Sequence, residues 1–511
     1  MKPKQSRRHF LRRACQLGTT SVLLRSGLSL SLPWALTACS DDNSSSGSPT
    51  TPTTSDIADL PIPALETGSL QSGIRHFNLA MQTGNSELIT GMQTATMGYN
   101  GGLLGPTLRM RKGESVRLQV TNNIGETTTT HWHGMHVPAA MDGGPHQTIE
   151  NGQIWTAAFD ILNEAATLWY HPHTHGRTGY QVYQGLAGMI IIDDGNSGAL
   201  NLPSDYGTDD IPVIIQDRRL NDDGGLAYLT RNSDRMGMKG DRILVNGRET
   251  PQFRAPAQWL RLRVLNGSNA RIYNLGFSDD RDFVQIASDG GFLPDPVTLK
   301  RLLLSPGERA EIMLDLSQDL NNTLKLISYS SEVSNELFSG GGGMGGMNSD
   351  ALDNSNFDIL TITIDRPAVN TPTLPASLNS LPTLTATAPD RFFTLEMARG
   401  QFTINNKAMD PGRIDETILL GDTEIWQVTN NQGMAHPFHI HDVMFQILSR
   451  DGNPPDSNEH GWKDTVLVKP GETVRFIASF TNFADPDMPY MYHCHILEHE
   501  DNAMMGQFVV V

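Results

Sequence analysis

Gly113-Glu-Ser-Val-Arg-Leu-Gln-Val-Thr-Asn-Asn123 alternates apolar Val116, Leu118 and Val120 with polar residues, then ends in a polar turn. A period of two is the pattern of a half-buried β-strand. It returns in Trp259-Leu-Arg-Leu-Arg-Val-Leu-Asn-Gly267, through Leu260, Leu262 and Val264, and again in Gly421-Asp-Thr-Glu-Ile-Trp-Gln-Val-Thr-Asn-Asn431. The asparagines at 122, 266 and 430 are spaced by 144 and 164 residues, a domain-sized repeat rather than a solenoid. A second strand recurs as Pro306-Gly-Glu-Arg-Ala-Glu-Ile and Pro470-Gly-Glu-Thr-Val-Arg-Phe. With 511 residues, 48 glycines and 29 prolines, the chain reads as an all-β protein of about three domains at ~150 residues each.

The three copies lead into different segments. After the first comes His131-Trp132-His133-Gly134, and after the third His436-Pro437-Phe438-His439-Ile440-His441. After the middle copy comes Ser268-Asn-Ala-Arg-Ile-Tyr-Asn274, without a histidine. Two more clusters are His171-Pro172-His173 and His493-Cys494-His495-Ile496-Leu497-Glu498-His499, so ten of the 16 histidines lie in four short segments. On a strand an H-x-H pair places both imidazoles on one face, and His493 and His495 then face away from the Cys494 thiol. A thiolate, imidazoles and the thioether of Met504 suit a blue-copper electron-transfer centre with a weak axial ligand. The histidines flanking Cys494 would serve a second centre a few bonds away. One H-x-H pair is a weak signal, whereas four, one of them wrapped around a cysteine, point to metal.

These segments resemble the signature of the multicopper oxidases, over nearly all of the chain after residue 60. The resemblance implies three consecutive cupredoxin-like Greek-key β-barrel domains at 61–205, 206–370 and 390–511, with a linker at 371–389. It implies four copper ions: one type 1, one type 2 and a binuclear type 3. By match, His131 and His439 are type 2 ligands. His133, His171, His173, His441, His493 and His495 match type 3, and His436, Cys494, His499 and Met504 match type 1. Asp142, in Met141-Asp-Gly-Gly-Pro145, and Glu500, directly after His499, match the proton-delivery acids. The middle domain has kept the strand and lost the metal, so type 1 copper is expected in the third domain and the trinuclear cluster between the first and third. No ligand of the pattern is missing, which argues against the copper-free relatives with a structural or division-associated role. The implied reaction is four one-electron oxidations of a donor coupled to reduction of O₂ to two waters.

The first 38 residues read as a targeting segment. Ser6-Arg7-Arg8-His9-Phe10-Leu11 matches the twin-arginine export pattern, which implies a periplasmic protein. Leu36-Thr37-Ala38-Cys39 resembles a lipoprotein box, with Cys39 as the lipid-bearing residue and 39–60 as a flexible linker. The segment holds seven Lys/Arg and no acid, leaving 31 basic against 56 acidic residues, a net charge near −25. That balance excludes nucleic acid as a natural partner and fits a self-repelling exported monomer. Cys15 leaves with the signal and Cys39 sits at the mature terminus, so Cys494 is the one thiol of the folded body.

The donor is the least legible feature. The wording of the motifs, such as Glu498-His499-Glu500-Asp501, resembles the bacterial copper-efflux oxidases. Those carry a long methionine-rich insertion, where this chain has only Gly340-Gly-Gly-Gly-Met344-Gly-Gly-Met347. Met344, Met347 and Met434 are candidate cuprous-ion contacts, soft enough for Cu(I). Gln432 stands where that family usually has an aspartate, which weakens the same site. A laccase-like oxidase of phenols or aromatic amines is favoured, with a cuprous oxidase for copper tolerance as the alternative. A non-enzymatic copper-binding protein on the same fold is a third reading.

Overall fold

The three repeated strands share one local topology. In the computed structural model, which describes residues 57–338, 350–398 and 400–511, Ser115–Asn123 lies between Ile74–Ile89 and Ile154–Asp160. Trp259–Asn266 lies between Asp210–Arg218 and Arg309–Asp315. Thr423–Asn430 lies between Arg391–Ala398 and Thr473–Ser479. Each time the earlier neighbour pairs parallel and the later one antiparallel. The expected targeting segment, Cys39, Met344 and Met347 lie outside the described residues.

The asparagine ending each strand explains why the repeat kept it. Asn122 Oδ1 accepts from the Ile124 N–H, Asn266 Oδ1 from Ser268 and Asn430 Oδ1 from Gln432, always two residues on. Each Nδ2 donates to two backbone carbonyls: Glu126 and Ile149, Arg271 and Leu304, Met434 and Val468. The side chain therefore ends the strand and ties the next loop to a later segment of the same domain, supplying partners for buried backbone groups.

Six sheets result, and each draws its strands from one stretch of chain: two from 65–193, two from 210–366 and two from 391–510. Each pair encloses one apolar cluster fed from both layers, as layered β architecture requires. Leu118 and Phe77 meet Leu108 and Ile190; Leu260 and Ile312 meet Phe277 and Ile362; Trp426 and Phe476 meet Phe438 and Tyr492. Burying each such side chain stabilises by about 1.5–3 kcal/mol.

Some local expectations change. Trp259–Asn266 does not alternate between core and solvent, because nearly the whole strand is buried. Leu260, Leu262 and Val264 face the core, while Arg261 and Arg263 on the other face are paired with Asp210 and Glu311 beside Thr167. The last residues of the linker expected over 39–60 are packed rather than free. Leu60 is buried in the core of the 210–366 sheets, and its N–H donates to the Gln252 carbonyl. Residues 367–390 form no helix or strand, yet they are pinned through Leu378, whose N–H donates to Pro294.

Candidate metal centre

Register brings the histidine segments together. His131–His133 pairs antiparallel with Ala166–His171, setting His131 opposite His171. His436–Ile440 pairs with Asp485–Cys494, setting His439 opposite His493 and Phe438 opposite Cys494. The H-x-H pairs lie only partly on strands: the strands end at His171, Ile440 and Cys494, so His173, His441 and His495 sit in the turns beyond. The rings still converge, and all ten histidines are at most 1% exposed.

Cys494 faces one group of ligands. Its sulfur lies 3.3 Å from His436 Nδ1 and 3.6 Å from His499 Nδ1. Met504 is fully buried in the same apolar cluster, and its carbonyl accepts the Cys494 N–H at 3.1 Å. Burial lowers His436 to about 3, lowers His499 well below its usual range and raises the Cys494 thiol. Both imidazoles are therefore neutral, and only a neighbouring cation makes a buried thiolate favourable. His499 Nε2 donates to the Met236 carbonyl at 3.2 Å, and Phe402 stacks on its ring at 3.7 Å. Glu498, on the same short helix Leu497–Asp501, ties that helix to loops of the middle stretch, accepting from the Met238 N–H, Asn269 and Tyr228.

Eight imidazoles form the second group. Nε2 of His173, His441 and His493 lie 3.1–3.3 Å from one another. His441 Nδ1 donates to Asp142 Oδ2 at 2.7 Å, and His493 Nδ1 to the Cys494 carbonyl at 3.1 Å. Their Nε2 lone pairs therefore aim at a common point. His133 Nδ1 lies 3.4 Å from His171 Nε2, while His133 Nε2 donates to Asp464 Oδ1 at 3.1 Å. The ring of His495 lies 5.1 Å from that of His133 and 5.5 Å from that of His171. His131 and His439 donate through Nδ1 to the carbonyls of Asp142 and Asp464, leaving each Nε2 buried without a hydrogen-bond partner.

This arrangement fits metal and little else. An unpartnered buried polar atom costs about 1–3 kcal/mol, and here His131 Nε2, His439 Nε2 and both nitrogens of His495 are in that state. Burial, followed by repulsion from neighbouring imidazoles, lowers His133, His171, His173, His439 and His493 well below the usual range. Neutral imidazoles with converging lone pairs suit a cation, and a thiolate with imidazoles selects copper or zinc.

Two carboxylates border the cluster. Asp142 Oδ1 lies 3.4 Å from His131 Nδ1. Burial alone would raise its pKa, but His441 and His131 hold it below the ordinary carboxylate range. Gly143 lets the loop close there: at φ +79°, a Cβ would fall 1.8 Å from the Thr130 carbonyl. Glu500 lies 3.3 Å from His173 Nδ1 and 3.4 Å from His493 Nδ1, and burial raises it well above its usual value. It is buried, so a solvated glutamate is ruled out.

Met434 is buried in the core two residues before His436. Sequence reasoning missed Asp464, Arg309, Glu498 and the Met236 carbonyl. Trp462-Lys463-Asp464-Thr465 carried a faint signal, two charges leading into the apolar strand Thr465–Val468, but nothing local linked Asp464 to Arg309.

Known proteins share this layout. Multicopper oxidase family profiles match residues 80–197 and 373–511. The multicopper oxidase mco of Staphylococcus aureus is 39% identical over 443 residues, 86% of this chain and 89% of its own. The cell division protein FtsP of Escherichia coli (strain K12) is 36% identical over 436 residues, 84% of this chain and 89% of that one. The bacterial laccase-like multi-copper oxidase CueO from Ochrobactrum sp. superposes with a TM-score of 0.79 at 36% identity, covering 88% of this chain and 100% of that one. Such similarity along most of the length, on an all-β fold with converging histidines, means that the chain belongs to the multicopper oxidase family of copper-binding oxidoreductases.

Proposed function

We propose that this protein is an exported laccase-type oxidase that couples four one-electron oxidations of a phenol or aromatic amine to the reduction of O₂ to two waters. The observation that carries the reading is the position of Cys494. Its sulfur faces His436 and His499, while its neighbours His493 and His495 belong to the eight-imidazole cluster. In this reading His436, Cys494, His499 and Met504 hold type 1 copper, and His131 and His439 hold type 2. His133, His171 and His495 hold one type 3 copper, and His173, His441 and His493 the other. Bound copper supplies one-electron redox chemistry at the thiolate and a multi-electron centre for O₂ at the cluster.

The chain supplies connectivity, desolvation and protons. The two centres are joined by the covalent bonds of residues 493–495, reinforced by the hydrogen bond from His493 Nδ1 to the Cys494 carbonyl. Complete burial of the ten imidazoles excludes bulk water. Burial raises Glu500 beside His173 and His493 and so favours a proton there, while Asp142, held low by His441 and His131, accepts from and orients His441. Two acids pushed in opposite directions can divide proton donation from proton acceptance.

The oxidase activity of the Ochrobactrum relative towards lignin model compounds and lignosulfonate supports a phenolic donor. The cuprous-oxidase alternative is favoured by three observations: both imidazoles beside Cys494 are buried, His499 is capped by Met236 and Phe402, and Met434 lies two residues from His436. O₂ uptake by the copper-loaded mature protein, with chelated Cu(I) against 2,6-dimethoxyphenol, separates them. Much greater efficiency on Cu(I) favours copper tolerance, comparable or better turnover of the phenol favours a laccase, and no uptake with any donor leaves the non-enzymatic reading. Export rests on the Arg7-Arg8 pattern, and lipid attachment on Cys39. Intact mass of the mature chain isolated from its cell tests both.

A further inference from the structure

We propose that Arg309, from the middle stretch that carries none of the clustered histidines, is a positioning residue that sets the orientation of His133 and His439 through Asp464. This inference rests on the reading of the imidazole cluster as a copper site. Arg309 is 1% exposed, and its guanidinium uses all five N–H donors. Nε donates to the Thr167 carbonyl at 3.1 Å. Nη1 donates to the Gly307 carbonyl at 3.0 Å and Asp464 Oδ1 at 2.7 Å, and Nη2 to the Asp289 carbonyl at 2.9 Å and Asp464 Oδ2 at 2.6 Å. One side chain therefore joins three stretches of the chain: Thr167, Asp289 with Gly307, and Asp464.

Asp464 passes that orientation on to two ligands. Its Oδ1 also accepts from His133 Nε2 at 3.1 Å and from Thr465 Oγ1 at 2.9 Å, and its backbone carbonyl accepts from His439 Nδ1 at 2.8 Å. The bidentate guanidinium fixes the plane of the carboxylate, and the carboxylate fixes the proton of His133 on Nε2. His133 then presents Nδ1 towards His171. His131, His173, His439, His441 and His493 instead present Nε2, either unpartnered or within 3.3 Å of another imidazole. The turn just before Arg309 also packs on the cluster directly. Gly307, at φ +85°, would place a Cβ 3.0 Å from the ring of His495. A lysine at 309 cannot replace the fork, because its compact ammonium has three donors and no planar pair.

The test compares full-length wild type with Arg309→Lys and Arg309→Met, using copper per chain, the visible band of the Cys494 site and the EPR signals of the cluster. Nitrogen chemical shifts of the histidines are recorded in parallel on the copper-free wild type. The expected result is a His133 protonated at Nε2 in the wild type. Both variants should keep the visible band and bind cluster copper about 10–100-fold more weakly, the range for loss of an orienting partner. Full copper occupancy with unchanged cluster signals in either variant overturns the proposal. So does a wild-type His133 protonated at Nδ1, a result that does not depend on the variants folding. If wild-type protein takes up no copper at the cluster, the functional reading fails instead, and the copper-free shifts, recorded also on Arg309→Met, decide the role of Arg309: an unchanged His133 tautomer in that variant overturns it.

Discussion

Asp142 and His441 stand 299 positions apart in the chain and share a 2.7 Å hydrogen bond from imidazole Nδ1 to carboxylate Oδ2. Glu500 faces His173 and His493 from another direction. His441 and His131 hold Asp142 below the ordinary carboxylate range, whereas burial pushes Glu500 upward. Asp142→Asn should therefore slow O₂ reduction by disturbing His441, and Glu500→Gln by removing a proton source. The expected loss is about 10²–10⁴-fold in kcat for each. The visible band of the Cys494 site should stay unchanged in both, because neither acid touches that sulfur. Stopped-flow reoxidation of the reduced protein by O₂ reads the effect directly, and wild-type rates in both variants would remove the two acids from the mechanism.

At the sulfur the prediction is spectroscopic. Cys494→Ser should abolish the intense blue absorption, since a hydroxyl in place of the thiolate removes the soft donor. If Met504 lends its thioether to type 1 copper as proposed, Met504→Leu should keep the colour and raise the reduction potential, because losing a soft donor leaves the oxidised state less stabilised. A blue Cys494→Ser protein would move the type 1 assignment elsewhere.

The repeat and the histidine clusters were legible because both are local: alternation and H-x-H spacing follow from strand geometry. Val116, Leu118 and Val120 are all buried as the alternation requires. The burial of Arg261 and Arg263 was not legible, since it depends on Asp210 and Glu311 about 50 residues away in each direction. Arg309 and Asp464 were missed for the same reason, their contact spanning 155 residues. The H-x-H rule described the convergence of the imidazoles better than their secondary structure, because His173, His441 and His495 reach the cluster from turns.

Glu311 carries the middle strand's buried charge. Burial would raise its pKa, but Arg261 and Arg263 outweigh burial and hold it at about 2. A carboxylate held below its ordinary 4.5 adds stability that is fully present above pH 4.5 and lost as pH falls through about 2. Glu311→Gln should leave two buried guanidinium groups short of a counter-charge and destabilise by about 3–5 kcal/mol. Thermal melts of the copper-free protein from pH 7 to pH 2 should show the wild type losing its advantage over Glu311→Gln at the acid end. A constant difference across that range would mean that the ion pair is not what stabilises this strand.

The recurring asparagine gives the most direct link from sequence to stability. Asn430 Nδ2 donates to Met434, in the loop that delivers His436, and to Val468, the strand partner of His436, and Oδ1 accepts from Gln432. Asn430→Ala leaves two carbonyls and one N–H without these partners in a fully buried position, at about 1–3 kcal/mol for each group. Asn430→Asp keeps the acceptor but cannot donate, so it should destabilise by a comparable amount. Asn122→Ala, whose equivalent bonds anchor the loop before His131, should lose a similar amount of stability in denaturant melts. Only Asn430→Ala should also perturb the visible spectrum of the copper-loaded protein, because its loop alone ends at His436 beside Cys494. Equal spectral changes in both variants would show that the loop after Asn430 does not position His436.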